Sequence, residues 1–378
     1  MDFITEELRK LRKEDLLRTL RTIESAAGKE LTLSGRKYLS FSSTNYLGLA
    51  NDPRLKEAAK KAIETYGWGT ASSRLICGTT RLHRELEERL AQFHGSEACI
   101  SFVTGYMANV GTIAALVGPA DAVIVDRLDH ASIIDGCRLS RARLLVYQHA
   151  DAKSLENVLS GAHGYNRKLV VTDTVFSMDG DICPLPDIVT LAKHYDAMVM
   201  VDEAHAVGVL GEKGRGVVEY HGLEGQVDVV MGPMSKAFGG VGGYVVGSDE
   251  LIAYLQNKCR SFIFTTAPPA AGCAASLEAI NIIEKEPQRR EKLWENVSYL
   301  KKGLAAKKLQ MTNSASQIVA VIVGEADKAQ ALSRKLFKQG ILIPAIRPPT
   351  VPKGTSRLRI MVTSEHERED IDRLLEAL

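Results

Sequence analysis

Seven short apolar runs between residues 98 and 247 constrain this chain most: Cys99-Val103, Ala122-Val125, Leu144-Tyr147, Leu169-Thr172, Met198-Val201, Val227-Met231 and Tyr244-Val246. Helical patterns separate several of them. Short runs of consecutive apolar residues read as strands buried on both faces. Their alternation with helices predicts an α/β fold, with a mostly parallel sheet and helices on both faces. In such sheets ligands bind at the carboxyl ends of the strands. The polar residues that stand out mostly fall there: Thr104-Gly105-Tyr106, Asp126 to His130, Asp173 to Ser177, Asp202 to His205, and Lys236.

The flanks read differently. Residues 2–21 have the charged, amphipathic pattern of one helix. ELTLSGRKYLSF (30–41) reads as a hairpin that turns at Ser34-Gly35. Helices are expected over Asp52–Tyr66 and Leu82–Phe93. GWGTASSRLICGTT (67–80) lies between them as a loop, too rich in Gly, Ser and Thr to be an element. A long helix follows Pro268-Pro269 and runs to about Glu284. From Asn313 a small α+β domain is expected, with strands at Gln317–Val323, near Ile341–Ile343 and at Leu358–Val362. It also holds a helix at Ala326–Gln339 and a final helix opened by a capping box, Ser364-x-x-Glu367. The expected domains are an N-terminal helix and hairpin segment (1–50), a large α/β domain (51–285) and a smaller α+β C-terminal domain (286–378).

The net charge of +2 in 378 residues gives no sign of a nucleic-acid or membrane surface as partner. No apolar run reaches the ~18 residues that a membrane span needs. The longest candidate, Ala108–Val125, is broken by Gly118-Pro119 and Asp121. The charged N-terminus is unlike a signal peptide. Cys77, Cys99, Cys137, Cys183, Cys259 and Cys273 form no C-x-x-C pair. That argues against a zinc site and a disulfide framework, and for reduced thiols in a cytoplasmic protein. No metal site is expected.

The chemistry concentrates in 198–243. Asp202 closes one apolar run, with His205 three residues on. Ser235-Lys236 follows another, ahead of Gly239, Gly240, Gly242 and Gly243. A carboxylate at one strand end and a lysine in a small-residue loop past another suit pyridoxal 5'-phosphate. That cofactor takes a lysine amine as a Schiff base and a carboxylate against its pyridine nitrogen. Thr104-Gly105-Tyr106 opens a helix after a strand, where backbone amides bind phosphate and Gly105 permits close approach. His130 lies just past a strand, where an imidazole can stack on the ring or simply bond to backbone. His205 and Ser177 are placed to reach the cofactor's phenolic oxygen. Arg359, in GTSRLRI, and Arg347, in AIRPPTVP, are the candidate anion handles, since a guanidinium binds a carboxylate in bidentate fashion. Pro348, Pro349 and Pro352 stiffen the loop that places Thr350.

DEAH, SKAFGG, FTTAPP (264–269) and RPPTVPKGTSRLR, in this order and spacing, resemble the α-oxoamine synthases, a family of fold-type I pyridoxal-phosphate transferases. The resemblance runs from about Arg18 to Leu378. It implies an acyltransferase that joins a small amino acid to an acyl thioester of coenzyme A or acyl carrier protein, releasing CO2 and the thiol. AIRPPTVP followed by GTSRLR is most similar to the branch that uses L-alanine and a pimeloyl thioester in biotin biosynthesis. SSRLICGTTRLHRELEERLA is also similar to the glycine C-acetyltransferases.

The resemblance further implies roles for single residues. Lys236 carries the cofactor and moves the α-proton, Asp202 pairs with the ring nitrogen, and His130 stacks on the ring. His205 and Ser177 hold the phenolic oxygen, and His205 or Lys236 stabilises a developing oxyanion. Gly105, Tyr106 and Ser235 meet the phosphate. Thr265 and Thr266 serve the phosphate site of a second subunit, hence a homodimer with shared active sites. Arg359 holds the amino-acid carboxylate, and Arg18 and Thr350 contact the acyl substrate. Two positions depart from the family pattern. Pro233 stands where many members have Thr, and has neither hydroxyl nor N–H to offer. Thr44 stands where Asn usually contacts substrate.

Overall fold

The computed structural model describes residues 2–14 and 16–378. Helix α1 (Asp2–Lys13) is followed by the hairpin β1 (Glu30–Leu33) and β2 (Arg36–Ser40). Ser34 and Gly35 turn the hairpin, both with positive φ (48° and 71°). That is the primed turn whose twist suits a two-residue connection. Helices α2 (Pro53–Tyr66) and α3 (Arg81–His94) lead into the alternating region. Its elements are β3 (Ala98–Phe102), α4 (Gly105–Leu116), β4 (Ala122–Asp126), α5 (Ala131–Ser140), β5 (Arg143–Tyr147), α6 (Ala152–Gly161), β6 (Lys168–Asp173), α7 (Leu185–His194), β7 (Met198–Asp202), a short α8 (Val217–Tyr220), β8 (Val229–Pro233) and β9 (Gly243–Gly247). Helices α9 (Asp249–Lys258), α10 (Arg260–Ile263), α11 (Ala270–Lys285) and α12 (Gln288–Ala306) follow. The chain ends with β10 (Ile318–Gly324), α13 (Ala326–Lys338), β11 (Ile341–Leu342), β12 (Ala345–Ile346), β13 (Ser356–Met361) and α14 (Arg368–Ala377).

All seven apolar runs form one sheet, in the order β3-β9-β8-β7-β6-β4-β5. Strand β9 is antiparallel to both its neighbours and the other pairings are parallel. Strand β3 therefore runs in the same direction as β8, and the carboxyl ends of β3, β4, β6, β7 and β8 share one edge. Successive strand residues enter different cores. Val123, Val125, Leu169, Val171 and Met200 pack into one cluster, and Ile124, Val170, Val199 and Val201 into the other. Both faces are covered, so the runs are apolar throughout rather than alternating. Burying each Val or Ile in this way contributes about 1.5–3 kcal/mol.

A smaller antiparallel sheet, β10-β13-β12, carries Arg359 on β13 opposite Ala320. Strand β2 pairs in parallel with β11, so the N-terminal hairpin is stitched to the C-terminal part of the chain. No helix among the described residues is long and apolar enough to cross a membrane. All six cysteines are free thiols, and of these only Cys77 is exposed.

Four local expectations are corrected. Helix α1 stops at Lys13 instead of reaching residue 21. No residue of α1 is buried, so packing does not offset the entropy of further turns. The amides of Leu16 and Leu17 fold back on the Leu11 carbonyl (2.8 and 3.2 Å). Within 67–80, Arg74–Gly78 forms a π-helical turn. The buried Arg74 holds it, bonding to Glu87 (2.9 Å) and Ser101 (2.9 Å). Helix α14 is capped by Glu367 and Asp370. The expected box at Ser364 does not form because Thr363 is held by His366 (3.0 Å) and Ser364 by the Tyr46 carbonyl (2.8 Å). Helix α12, absent from the elements expected of the sequence, buries Leu293, Val297, Leu300 and Leu304 at helical spacing.

Candidate active site

The β8–β9 hairpin builds the lysine loop. Met234 N donates to the Gly242 carbonyl (3.0 Å) and Gly240 N to the Met234 carbonyl (2.8 Å), which folds residues 234–242 into a tight bend that carries Ser235 and Lys236. Gly239 allows this bend to dock. Its φ is +68°, and a Cβ there would lie 2.3 Å from Ala50 N. Gly243 meets the start of α4 as closely, since a Cβ would lie 2.6 Å from Gly105 Cα.

A cavity of about 220 Å³ opens at the shared strand edge. It brings together Gly105, Tyr106, His130, Ser177, Asp202, His205, Ser235 and Lys236. Asn109, Ser132, Asp173 and Pro233 also line it.

Asp202 closes β7 and is 3% exposed. Its Oδ1 accepts from Ala204 N (2.8 Å) and its Oδ2 from Asn109 Nδ2 (2.8 Å). Both oxygens are thus oriented by donors, as a buried carboxylate requires. Burial lowers the Lys236 amine below its usual 10.5. Asp202 and Asp173 pull it back up, and the Arg359 guanidinium pushes it down again. His130 sits at the mouth as the N-cap of α5. Its backbone N–H donates to Asp173 Oδ2 (2.7 Å) and its Nδ1 accepts from Ser132 N (3.3 Å). Burial lowers its pKa, against the pull of Asp202. Asp129 laces β4 to β6, accepting from Asp126 N (2.8 Å) and Asp173 N (2.9 Å). Burial pushes Asp129 and Asp173 well above the usual carboxylate range, reinforced at Asp129 by Asp173 and Asp126 and at Asp173 by Asp202 and Asp126.

Thr104 caps α4 by accepting from Met107 N (3.2 Å), and Gly105 and Tyr106 are its first two residues. Amides in a first turn have no acceptor within the helix and face the cleft as an anion site. Pro233 packs beneath them, and a Cβ on Gly105 would sit 3.2 Å from its Cβ. Pro233 fills space here and donates nothing. Tyr106 is half exposed and its hydroxyl donates to Asp135 (2.8 Å).

Arg359 reaches the cleft wall, where its Nη1 donates to the Ser177 carbonyl (3.1 Å) and its Nε is buried with no hydrogen-bond partner. Thr350 lines a neighbouring cavity of about 770 Å³ that shares Ser177 with the first. Its amide donates to the Arg347 carbonyl (3.1 Å), which places Arg347 in the same turn. Thr265, Thr266 and Arg18 do not line the cleft of their own chain. Thr266 is instead bridged to Ser73.

These residues fit pyridoxal phosphate. They present a lysine amine of lowered pKa, a buried carboxylate held from both sides, and a glycine-opened helix start. No group of three or more His, Cys, Asp or Glu among the described residues is arranged to hold a metal ion. Asn109 and Tyr46 did not stand out in the sequence, whereas Asp173 did, as the end of its strand. Asn109 had one available signal: it lies four residues after Gly105, on the same helix face.

The aminotransferase class I and II family model matches residues 36–378. An 8-amino-7-oxononanoate synthase from Thermoanaerobacter pseudethanolicus is 48% identical over 378 residues, covering 100% of this chain and 96% of that protein. A solved variant of serine palmitoyltransferase from S. paucimobilis, with a PLP–myriocin aldimine bound, superposes with a TM-score of 0.94 at 36% identity, covering 100% of this chain and 96% of that one. An 8-amino-7-oxononanoate synthase from Francisella tularensis superposes with a TM-score of 0.79 at 29% identity, covering 90% and 96%.

Proposed function

The chain belongs to the aminotransferase class I and II family, and we propose that it condenses L-alanine with a pimeloyl thioester to give 8-amino-7-oxononanoate, CO2 and free thiol, a step of biotin biosynthesis. It is a pyridoxal-phosphate enzyme. The observation that carries the reading is the 48% identity over the full chain to an 8-amino-7-oxononanoate synthase.

Pyridoxal phosphate supplies an electron sink for the pair left at the amino-acid α-carbon. The chain's own residues do the rest. Lys236, whose amine pKa burial lowers, would hold the cofactor and, when its amine is free of it, would take the α-proton on Nζ. Asp202 would accept from the ring N–H and keep that proton in place. His130 would cover the ring and exclude water. His205 and Ser177 hold the phenolic oxygen, and His205 or Lys236 steadies the developing oxyanion. Gly105, Tyr106 and Ser235 hold the phosphate. Arg359, whose Nη1 reaches the Ser177 carbonyl at the cleft wall, holds the alanine carboxylate. Arg18, Arg347 and Thr350 bind the acyl thioester, whose carrier is coenzyme A or acyl carrier protein.

A second copy of the chain completes the phosphate site with Thr265 and Thr266. Exposed Ile76 and Phe264, close in sequence to the bridged Ser73 and Thr266, support that pairing.

The test is product analysis by mass spectrometry with three substrate pairs: L-alanine with pimeloyl-CoA, glycine with acetyl-CoA, and L-serine with palmitoyl-CoA. The mass of 8-amino-7-oxononanoate from the first pair, at the highest kcat/KM, supports the reading. Preference for either other pair overturns it.

A further inference from the structure

Tyr46 is fully buried, and its hydroxyl lies 2.6 Å from His205 Nδ1. His205 is buried too, at the wall of the cleft. Burial, together with the nearby charges of Lys236, Arg359 and His130, pushes its imidazole well below 6.5. The ring is therefore neutral and carries one N–H, on one nitrogen or the other.

The neighbours decide which. Burial pushes the Tyr46 phenol up, so it keeps its proton. Gln317 Nε2 donates to the His205 carbonyl (2.7 Å), which fixes the amide's orientation because a carbonyl only accepts. Gln317 Oε1 makes no hydrogen bond. The Tyr46 proton therefore has His205 Nδ1 as its acceptor, and the ring proton belongs on Nε2. That nitrogen bonds to no described residue and is not among the buried unpartnered atoms, so it is open to the cleft.

We infer that Tyr46 is a positioning residue that fixes His205 as the Nε2–H tautomer, so that a neutral donor faces the cleft instead of a lone pair. A neutral donor meets an oxygen anion without adding charge beside Lys236 and Arg359. The other tautomer would set a lone pair against that oxygen. The inference deepens the His205 role proposed above and rests on it, but the tautomer itself does not depend on which substrates the enzyme takes.

The test is a ring ¹H–¹⁵N correlation spectrum of [¹⁵N]histidine-labelled holoenzyme, with His205→Asn identifying the His205 signals and Tyr46→Phe as the probe variant. The wild type is expected to show a protonated Nε2 and a bare Nδ1. Tyr46→Phe is expected to redistribute the proton toward Nδ1 and to lower kcat roughly 10-fold, with the amino-acid KM changed less than about twofold. A wild-type His205 protonated on Nδ1 overturns the inference, whether or not the variant folds. So does a Tyr46→Phe spectrum that keeps the wild-type His205 pattern. Failure of the alanine–pimeloyl assignment would appear only in the product assay and leave these spectra unchanged.

Discussion

Asn109 Nδ2 donates to Asp202 Oδ2 at 2.8 Å, across 93 residues of sequence and from the second turn of α4 to the end of β7. The same amide nitrogen lies 2.9 Å from Ser132 Oγ at the start of α5. One side chain thus aligns the carboxylate with the two helices that frame the cleft. Asn109→Ala is expected to weaken cofactor binding about 10-fold, the worth of a hydrogen bond to a charged group. Asn109→Asp, which sets a second carboxylate against Asp202, is expected to weaken it further. Titration of the apoprotein with pyridoxal phosphate checks both, and equal affinities for all three proteins would contradict the role.

The lowered pKa of Lys236 fixes a sign. Its neutral fraction grows as pH rises and passes one half below pH 10.5. The rate at which apoprotein captures pyridoxal phosphate is expected to rise with pH and reach its plateau below that of a free lysine amine. Between the folded pKa and 10.5 the unfolded chain holds the extra proton, so this group adds stability to the apoprotein as pH rises. Stopped-flow absorbance across pH measures the capture rate.

His149 bridges Asp126 (3.0 Å) and Asp181 (2.9 Å) at the rim of the larger cavity. Burial alone would lower its pKa, but the two carboxylates outweigh it and raise the group to about 10. A raised pKa means stability fully present below the unfolded value of ~6.5 and lost as pH climbs toward 10. The stability gap between wild type and His149→Gln is therefore expected to narrow from pH 6.5 to pH 10. Denaturant melts at several pH values check this, and a gap independent of pH would contradict it.

Gly239→Ala is expected to cost more than about 1 kcal/mol, because φ is positive and the methyl group would strike the Ala50 backbone. Since that contact docks the Lys236 loop, cofactor capture is expected to slow as Tm falls. Thermal melts and capture rates on the same sample check the link.

The large sheet was legible because every strand in it is apolar on both faces and keeps that signature without its neighbours. The cleft residues on strand ends were legible for the same reason: Asp202, Ser177 and Lys236 follow directly from where the strands stop. What escaped notice depends on contacts between distant segments. Nothing in SSTNYLGL sets Tyr46 against a histidine 159 residues away. The end of α1 and the cap of α14 were misplaced because tertiary contacts, or their absence, outweighed local pattern. Arg18, Thr265 and Thr266 do not line the cleft of their own chain, and no local pattern reveals that.

Borohydride reduction of the holoenzyme followed by peptide mass mapping shows which lysine carries the cofactor. The cleft geometry predicts one pyridoxyl phosphate per chain, on the peptide containing Lys236, and none in Lys236→Ala. Labelling of a different lysine, or no covalent cofactor in wild type, would rule out Lys236 as the attachment site.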